Sequence, residues 1–344
     1  MHKMAGIATK TETMELMSHS IADYYRKIHP GFLIQVWRDS PDLAFEVFYK
    51  PRNGQEEPQF MKFGVYEATT REKIQKLVVS NESHPLFIHE KDLIKYYNKF
   101  LIENLRQSLE DGKPFDNILV QAYQVNKNIL QEYFENIDST KILRCLDEVV
   151  EIMTICMTEG KLEPLDVFNT TSKDDAHPAH CSNAGLYNIF FGVQLNLPTP
   201  EILDLGLGGM LYDIGKKGIP IAVLEKQGEL SPDDWQTIRK HPSAGRKVLN
   251  DMRCYSENIL RMAAEHHEKY DGSGYPFGLQ GDKISFSAQV CAISDVFNAL
   301  VCKRYYHEPR TAFEALVEMK NNMPGHFDPR ILINFIKAFA QPGK

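Results

Sequence analysis

The sequence has little of what marks secreted or membrane-spanning proteins. Its six cysteines show no CxxC spacing and lie mostly among apolar residues, which favours reduced core thiols over a disulfide framework. The apolar run at 149–157 is interrupted by Glu151 and is too short to cross a bilayer. Residues 1–20 contain no apolar signal-peptide segment. We therefore expect a cytoplasmic protein with no membrane contact.

An excess of basic charge is also missing. The 39 Lys and Arg residues are outnumbered by 46 Asp and Glu residues, which gives a formal net charge of −7. A protein that binds DNA or RNA polymers needs a basic face, so this class is disfavoured. A small anionic ligand stays compatible with a local cluster of Lys216, Lys217 and Arg304. The length of 344 residues and the 43% hydrophobic content suit two ordinary globular domains.

Two adjacent histidines, His266 and His267, end a predicted helix and precede a glycine-rich turn. Neutral imidazole is a good ligand for divalent metals of the zinc and iron type. Consecutive helical side chains diverge by about 100°, so the pair could serve two metals, or one metal and one substrate oxygen. Gly272 and Gly274 would let the backbone approach a ligand closely. The pair alone is equally compatible with a surface His-His sequence.

Further histidines and aspartates fall on predicted apolar helices. A buried carboxylate is costly unless it is paired or bound to a metal. Each such residue alone could be a structural histidine or a helix-capping aspartate, but together they predict a two-metal site. The residues are His180, Asp213, His241 and Asp295.

These motifs resemble the HD-GYP domain, a branch of the HD metal-phosphohydrolase superfamily that cleaves cyclic di-GMP in bacteria. The resemblance extends over residues 177–337 in order and spacing. It is carried by His180 with Asn183, the segment 213–220, the segment 230–235, His241-Pro242 with Gly245, the segments 266–276 and 278–282, Asp295, Arg304 with Tyr306, and 327–329.

The resemblance implies two divalent metal ions, iron or alternatively manganese, bridged by Asp213. One metal would be completed by His180 and Asp295, and the other by His241, His266 and His267. Lys216 would act with Asp213 in catalysis by neutralising charge on the scissile phosphate. The predicted substrate contacts are Lys216, Gly274, Tyr275, Pro276 and Arg304. Lys216 could instead satisfy a helix C-terminus, and Arg304 could form a salt bridge.

The sequence departs from the family pattern at three positions. Tyr212 replaces the histidine of the His-Asp dyad, and Asn298 replaces a second aspartate. Ala176 stands where some members carry a glutamate that supports a third metal. A neutral phenol ligates poorly because its pKa is about 10, so we expect Tyr212 to fill space and form a hydrogen bond.

The predicted fold is mainly α. Residues 1–145 form an α+β regulatory or sensory module with a helical linker, and residues 146–344 form an all-helical HD-type bundle. Predicted strands are 32–37, 43–49, 59–66 and 85–89. Predicted helices are 12–28, 70–79, 90–110, 114–136, 139–159, 177–195, 200–214, 231–251, 256–268, 285–303, 310–322 and 329–340.

Two functions stay open on the sequence. The first is a metal-dependent phosphodiesterase that hydrolyses a cyclic dinucleotide in bacterial signalling. The second is a catalytically weak or inactive receptor of the same fold, which binds a dinucleotide or a signalling protein partner. Tyr212 and Asn298 favour the receptor, and the six retained histidines and aspartates favour the enzyme.

Overall fold

The chain folds into two compact units, residues 1–104 and 105–344. The structure is a computed structural model, and it describes residues 25–28, 47–49, 61–62, 86–136, 140–173, 176–226, 228–303 and 309–340. Within these ranges no helix is long and apolar enough to cross a membrane.

The first unit contains an antiparallel four-stranded sheet. Its strands are β1 (Tyr25–Ile28), β2 (Val47–Tyr49), β3 (Met61–Lys62) and β4 (Leu86–His89), in the order β1-β4-β2-β3. Ile88 of the central strand β4 is fully buried, and the rings of Tyr25 and Phe48 meet edge to face with centroids 4.7 Å apart. The small α+β module predicted from sequence is confirmed.

Local predictions in this unit had mixed outcomes. The strands expected at 43–49, 59–66 and 85–89 are confirmed where the structure describes them. The helix expected at 12–28 is wrong at Tyr25–Ile28, because this segment pairs along its whole length with β4 and the pairing overrides the helical spacing of its apolar residues. The strand predicted at 32–37 and the helix predicted at 70–79 lie outside the described residues.

The rest of the described chain is mainly helical. Short 3-10 or π-helical turns lie at Glu90–Asp92, Tyr97–Ile102, Glu132–Asn136, Thr140–Arg144, Ile214–Gly218 and Gly281–Lys283. The α-helices are α1 (Leu93–Tyr96), α2 (Glu103–Glu110), α3 (Phe115–Gln131), α4 (Cys145–Glu159), α5 (Pro164–Thr170), α6 (His177–Gln194), α7 (Thr199–Leu211), α8 (Ile221–Leu224), α9 (Pro232–Ile238), α10 (His241–Met252), α11 (Glu257–Glu265), α12 (Phe286–Val301), α13 (Ala312–Asn322) and α14 (Pro329–Phe339).

Helix α6 is the centre of the second unit, and every residue from 178 to 192 is buried. Helix α7 packs against it at close range because both helices carry glycine at the crossing. A Cβ on Gly209 would lie 2.8 Å from the Cα of Gly185. Such proximity brings the C-terminal end of α7, where Asp213 follows, close to the start of α6.

The predicted helices of this unit are confirmed, except that one is broken in two and two short helices, α5 and α8, are additional. The helix expected at 231–251 is wrong as a single helix, since it divides into α9 and α10 around Arg239 and Lys240. Pro242 has no amide hydrogen and is favoured in the first turn of a new helix. Helix α5 was not predicted; it begins with a capping box between Glu163 and Asp166.

The helices of residues 115–159 group with the second compact unit. Most of this segment is predicted from the sequence to be a helical linker of the N-terminal module. The functional boundary at 145/146 therefore stays a prediction, while the compact units divide at 104/105.

Candidate metal centre

Four of the predicted ligands converge at the meeting point of three chain segments. Asp213 follows α7, His241 begins α10, and His266 and His267 follow α11. One ligand atom from each of the four side chains lies within 4.8 Å of the others. Asp213, His241 and His266 are buried, and His267 is half-buried.

The carboxylate of Asp213 faces two imidazoles through one oxygen. Its Oδ1 atom lies 3.1 Å from Nε2 of His241 and 3.6 Å from Nε2 of His266. The two Nε2 atoms are 3.1 Å apart. Within the described part of the chain, Oδ1 is buried and receives no hydrogen bond.

Backbone carbonyls fix the tautomers of both histidines. Nδ1 of His241 lies 2.7 Å from the carbonyl oxygen of Ile238. Pro242 cannot donate to this carbonyl, so the side chain of His241 donates in its place. Nδ1 of His266 lies 3.1 Å from the carbonyl oxygens of Met262 and Ala263. A carbonyl oxygen only accepts, so Nδ1 carries the hydrogen in both rings and each Nε2 presents a lone pair.

Three acceptor atoms thus meet in a buried space. Unsatisfied buried acceptors are costly, and a divalent cation would satisfy all three at once. A donor set of one carboxylate and several neutral imidazoles suits iron, manganese or zinc. The arrangement Nδ1–H to carbonyl and Nε2 inward is also the one that histidine ligands usually adopt. The residues fit a metal ion.

The ionisation states of these groups also suit metal binding. Burial would raise the pKa of Asp213, but the charge of Lys216 and the contacts with His241 and His266 together outweigh it and hold the pKa well below the usual range. Burial lowers the pKa of His241 and that of His267. The carboxylate is therefore charged and both imidazoles are neutral at physiological pH, as metal ligands must be.

Lys216 lies against the other oxygen of Asp213. Its Nζ atom is 2.6 Å from Oδ2, and its side chain is 23% exposed. Burial would lower its pKa, but the carboxylate beside it raises the pKa above the ordinary value, so Lys216 is charged. Gly215 brings this turn against α10, because a Cβ there would lie 2.1 Å from the carbonyl oxygen of His241.

The other two predicted ligands form a separate pair. Nε2 of His180 lies 2.8 Å from Oδ1 of Asp295, and the hydroxyl of Tyr212 donates to the same oxygen at 2.8 Å. Tyr212 is fully buried, and burial raises its pKa well above the ordinary value. Tyr212 thus fills space and forms a hydrogen bond as a neutral phenol.

The glycine-rich loop after His267 lies beside the centre. The ring of Tyr275 stacks on that of His267 with centroids 4.7 Å apart. Gly274 is required for close approach, although its neighbour is backbone and not a ligand: a Cβ would lie 2.3 Å from the amide nitrogen of Lys269. The predicted contacts of Gly274, Tyr275 and Pro276 with substrate stay predictions, and Arg304 lies outside the described residues.

Two features around the site were not predicted from the sequence. The buried carboxylate of Glu268 accepts hydrogen bonds from the amides of Phe277 and Leu279, at 2.6 and 3.0 Å, and so anchors the loop. Arg239 lies over the ring of Tyr275, 5.2 Å from its centroid. Glu268 immediately follows the histidine pair, which is a signal that could have been used.

Asp213 also belongs to a second group of possible metal ligands. The other members are His177 and Cys181, which are one turn apart on α6. Nδ1 of His177 is 3.9 Å from Oδ2, the oxygen that Lys216 already occupies. Burial lowers the pKa of His177 to about 3, and sequence reasoning did not select this residue.

Residues 180–331 match the HD domain family. Among curated proteins, a cyclic di-GMP phosphodiesterase of Pseudomonas aeruginosa is 40% identical over 42% of this chain and 35% of its own length. These matches support the assignment of residues 180–331 to the HD-GYP branch of the HD family.

Other relatives of this HD-GYP region carry related names. A 3′3′-cGAMP-specific phosphodiesterase of Vibrio cholerae is 30% identical over 65% of this chain and 43% of its own length. The matched regions span between about a third and a half of these relatives. The structure of an HD-GYP-type protein from Bdellovibrio bacteriovorus superposes with a TM-score of 0.63 at 18% identity, over 92% of this chain and all of the other, which shows a shared fold.

Proposed function

We propose that the protein is a metal-dependent phosphodiesterase that hydrolyses a cyclic dinucleotide, with cyclic di-GMP as the first candidate. The observation that carries the proposal is the buried Oδ1 of Asp213, which receives no hydrogen bond from the described residues and faces two imidazole lone pairs. The family of residues 180–331 and the names of its relatives indicate the substrate class.

The metal would be held by Asp213, His241, His266 and His267. We propose iron, with manganese as the alternative, because a mixed imidazole and carboxylate set suits both. Such a metal, when bound, supplies a water molecule that loses its proton near neutral pH.

The protein's own groups would bind and orient the substrate. Lys216 carries a positive charge next to Asp213 and is partly exposed, so its ammonium group can accompany a phosphate oxygen as charge develops. The ring of Tyr275 lies at the edge of the site, stacked on His267, and would border a bound nucleobase. Arg239, over the same ring, adds positive charge for an anionic ligand.

The test is hydrolysis by protein loaded with Fe²⁺ or Mn²⁺ under reducing conditions. We expect release of a linear dinucleotide from cyclic di-GMP, and parallel assays with 3′3′-cGAMP distinguish the two substrates. Asp213→Asn keeps the size of the side chain and should abolish turnover. Asp251→Asn, on the exposed end of α10, is the matched control. Metal-loaded protein that turns over neither substrate would contradict the proposal.

A receptor is the second candidate, and Tyr212 favours it. The residue that replaces the dyad histidine donates a hydrogen bond to Asp295 and offers no metal ligand as a neutral phenol. Equilibrium binding of a cyclic dinucleotide to metal-loaded protein, without hydrolysis, would support this function. The predicted signalling protein partner belongs to the same candidate.

A further inference from the structure

We propose that Asn298 holds His180 in the tautomer protonated at Nε2. His180 then positions Asp295 by a hydrogen bond and does not bind a metal, which leaves a one-metal centre at Asp213, His241, His266 and His267. The inference rests on the proposed function in that this cluster binds a metal. It differs from the two metals that the family resemblance implies.

The chain of hydrogen bonds begins at the backbone of Ser172. The Ser172 amide donates to Oδ1 of Asn183 at 3.1 Å, and the Ser172 carbonyl accepts from Nδ2 of Asn183 at 2.8 Å. A backbone amide only donates and a carbonyl only accepts, so these two contacts fix which end of the Asn183 amide is nitrogen. The hydroxyl of Tyr123 donates to the same Oδ1 at 2.7 Å.

Asn183 in turn fixes the amide of Asn298. Nδ2 of Asn183 donates to Oδ1 of Asn298 at 2.9 Å, and Nδ2 of Asn298 donates to the His180 carbonyl at 3.0 Å. Turning the Asn298 amide over would set two NH₂ groups against each other and two carbonyl oxygens against each other. Both asparagines are fully buried, so no water can relieve those contacts.

The remaining hydrogen of the Asn298 amide points at His180. Nδ2 of Asn298 lies 2.6 Å from Nδ1 of that ring. Nδ1 must therefore accept, and in a neutral imidazole the hydrogen then resides on Nε2. Nε2 donates it to Oδ1 of Asp295 at 2.8 Å. A protonated ring nitrogen has no lone pair for a metal.

The neighbouring groups agree with this assignment. Oδ1 of Asp295 receives a second hydrogen bond from Tyr212. Oδ2 of Asp213, the atom that would have to reach a second metal, is paired with Lys216 at 2.6 Å. The position predicted for a second metal is thus lined by hydrogen-bond donors, whereas the first is lined by acceptors.

Two measurements test the proposal. The first is a long-range ¹⁵N–¹H correlation spectrum of the histidine rings in metal-free protein, with the His180 signals assigned by their loss in His180→Gln. We expect the hydrogen on Nε2 of His180 and on Nδ1 of His241 and His266. A hydrogen on Nδ1 of His180 would overturn the proposal, whether or not any metal binds.

The second measurement is metal content after loading with Mn²⁺ and removal of excess ion. We expect one metal per chain in the wild type and in His180→Gln. Asn298→Asp places an acceptor against Nδ1, which frees Nε2, and should raise the content to two. The double variant Asn298→Asp with His180→Gln should return to one.

The outcomes separate this inference from the proposed function. Two metals in the wild type would overturn the inference and leave the proposed function standing. No metal in the wild type would overturn the proposed function and the one-metal centre together. An Asn298→Asp protein that is folded, as judged by circular dichroism, and still binds one metal would overturn the role of Asn298.

Discussion

The two halves of the site differ in hydrogen-bonding character although both consist of histidine and aspartate. In the half formed by Asp213, His241 and His266, three acceptors meet without a donor. In the half formed by His180 and Asp295, two acceptors face donors: Oδ1 of Asp295 faces Tyr212 and His180, and Nδ1 of His180 faces the Asn298 amide. We call these the acceptor half and the donor half.

The residue type alone does not decide whether a side chain binds a metal. Whether a histidine can bind a metal depends on what its other ring nitrogen contacts. His241 and His266 contact backbone carbonyls, which leave Nε2 free, whereas His180 contacts an amide NH₂ group, which puts the hydrogen on Nε2. Two of the three departures from the family pattern, Tyr212 and Asn298, contribute donors to the same half.

Removing the carboxylate of the acceptor half should have the largest effect. Asp213→Ala should lower the affinity for Mn²⁺ by more than the roughly 10- to 100-fold typical of residues that only support a ligand. Metal content after dialysis and isothermal titration calorimetry measure it. Asp251→Ala, a side chain that is 60% exposed on α10, is the control. Unchanged affinity in Asp213→Ala would remove Asp213 from the ligand set.

Displacing one ligand of the acceptor half should have the next largest effect. Gly215→Ala places a Cβ 2.1 Å from the His241 carbonyl oxygen, so either backbone must shift. We expect a loss of about 1–3 kcal/mol in the free energy of unfolding, with weaker metal binding. Gly218→Ala lies in the same turn with open space around its Cβ and should be close to neutral. Urea denaturation compares the two, and equal losses would contradict the close approach.

Acid should act on the two halves in different pH ranges. His177, His241 and His267 have pKa values lowered by burial, in or beside the acceptor half. Below about pH 6.5 the unfolded chain protonates these histidines and the folded chain does not. As the pH is lowered below this value, the free energy of unfolding of metal-free protein should therefore fall, by up to about 1.4 kcal/mol per pH unit for each histidine.

Asp295, in the donor half, should respond only in stronger acid. Its pKa is lowered, since its contacts with His180 and His267 together outweigh the effect of burial, so its contribution is lost only below the ordinary carboxyl pKa of about 4. Urea denaturation between pH 7 and 5 measures the contribution of the histidines separately from that of the carboxylates. His267→Gln should reduce the slope of the free energy of unfolding against pH in this range. An unchanged slope would show that His267 is protonated in the folded state.

Removing one donor from the donor half should have the smallest effect. Tyr212→Phe deletes the hydrogen bond to Asp295 and keeps the ring that packs on His266. We expect a loss of about 0.5–1.5 kcal/mol in the free energy of unfolding and an unchanged metal content. Loss of the metal, or of a charge-transfer absorption in the iron-loaded protein, would show that the phenolate is a ligand.

Much of the fold and of the acceptor half could be predicted, because apolar periodicity and ligand spacing are properties of short segments. The positions of Asp213, His241, His266 and His267 followed from such patterns, as did most helix bounds. The tautomer of His180 could not, since it depends on a network of buried amides between α6, α12 and the backbone of Ser172. Likewise the strand β1 arises from pairing with β4, which lies some sixty residues away in the sequence.

We expect the acceptor half to bind a metal and the donor half to bind none. Anomalous diffraction at the manganese edge, from crystals grown with Mn²⁺, tests it most directly. We expect one anomalous peak per chain, within bonding distance of Oδ1 of Asp213 and of Nε2 of His241 and His266. A second peak between His180 and Asp295, or no peak beside Asp213, would contradict the account.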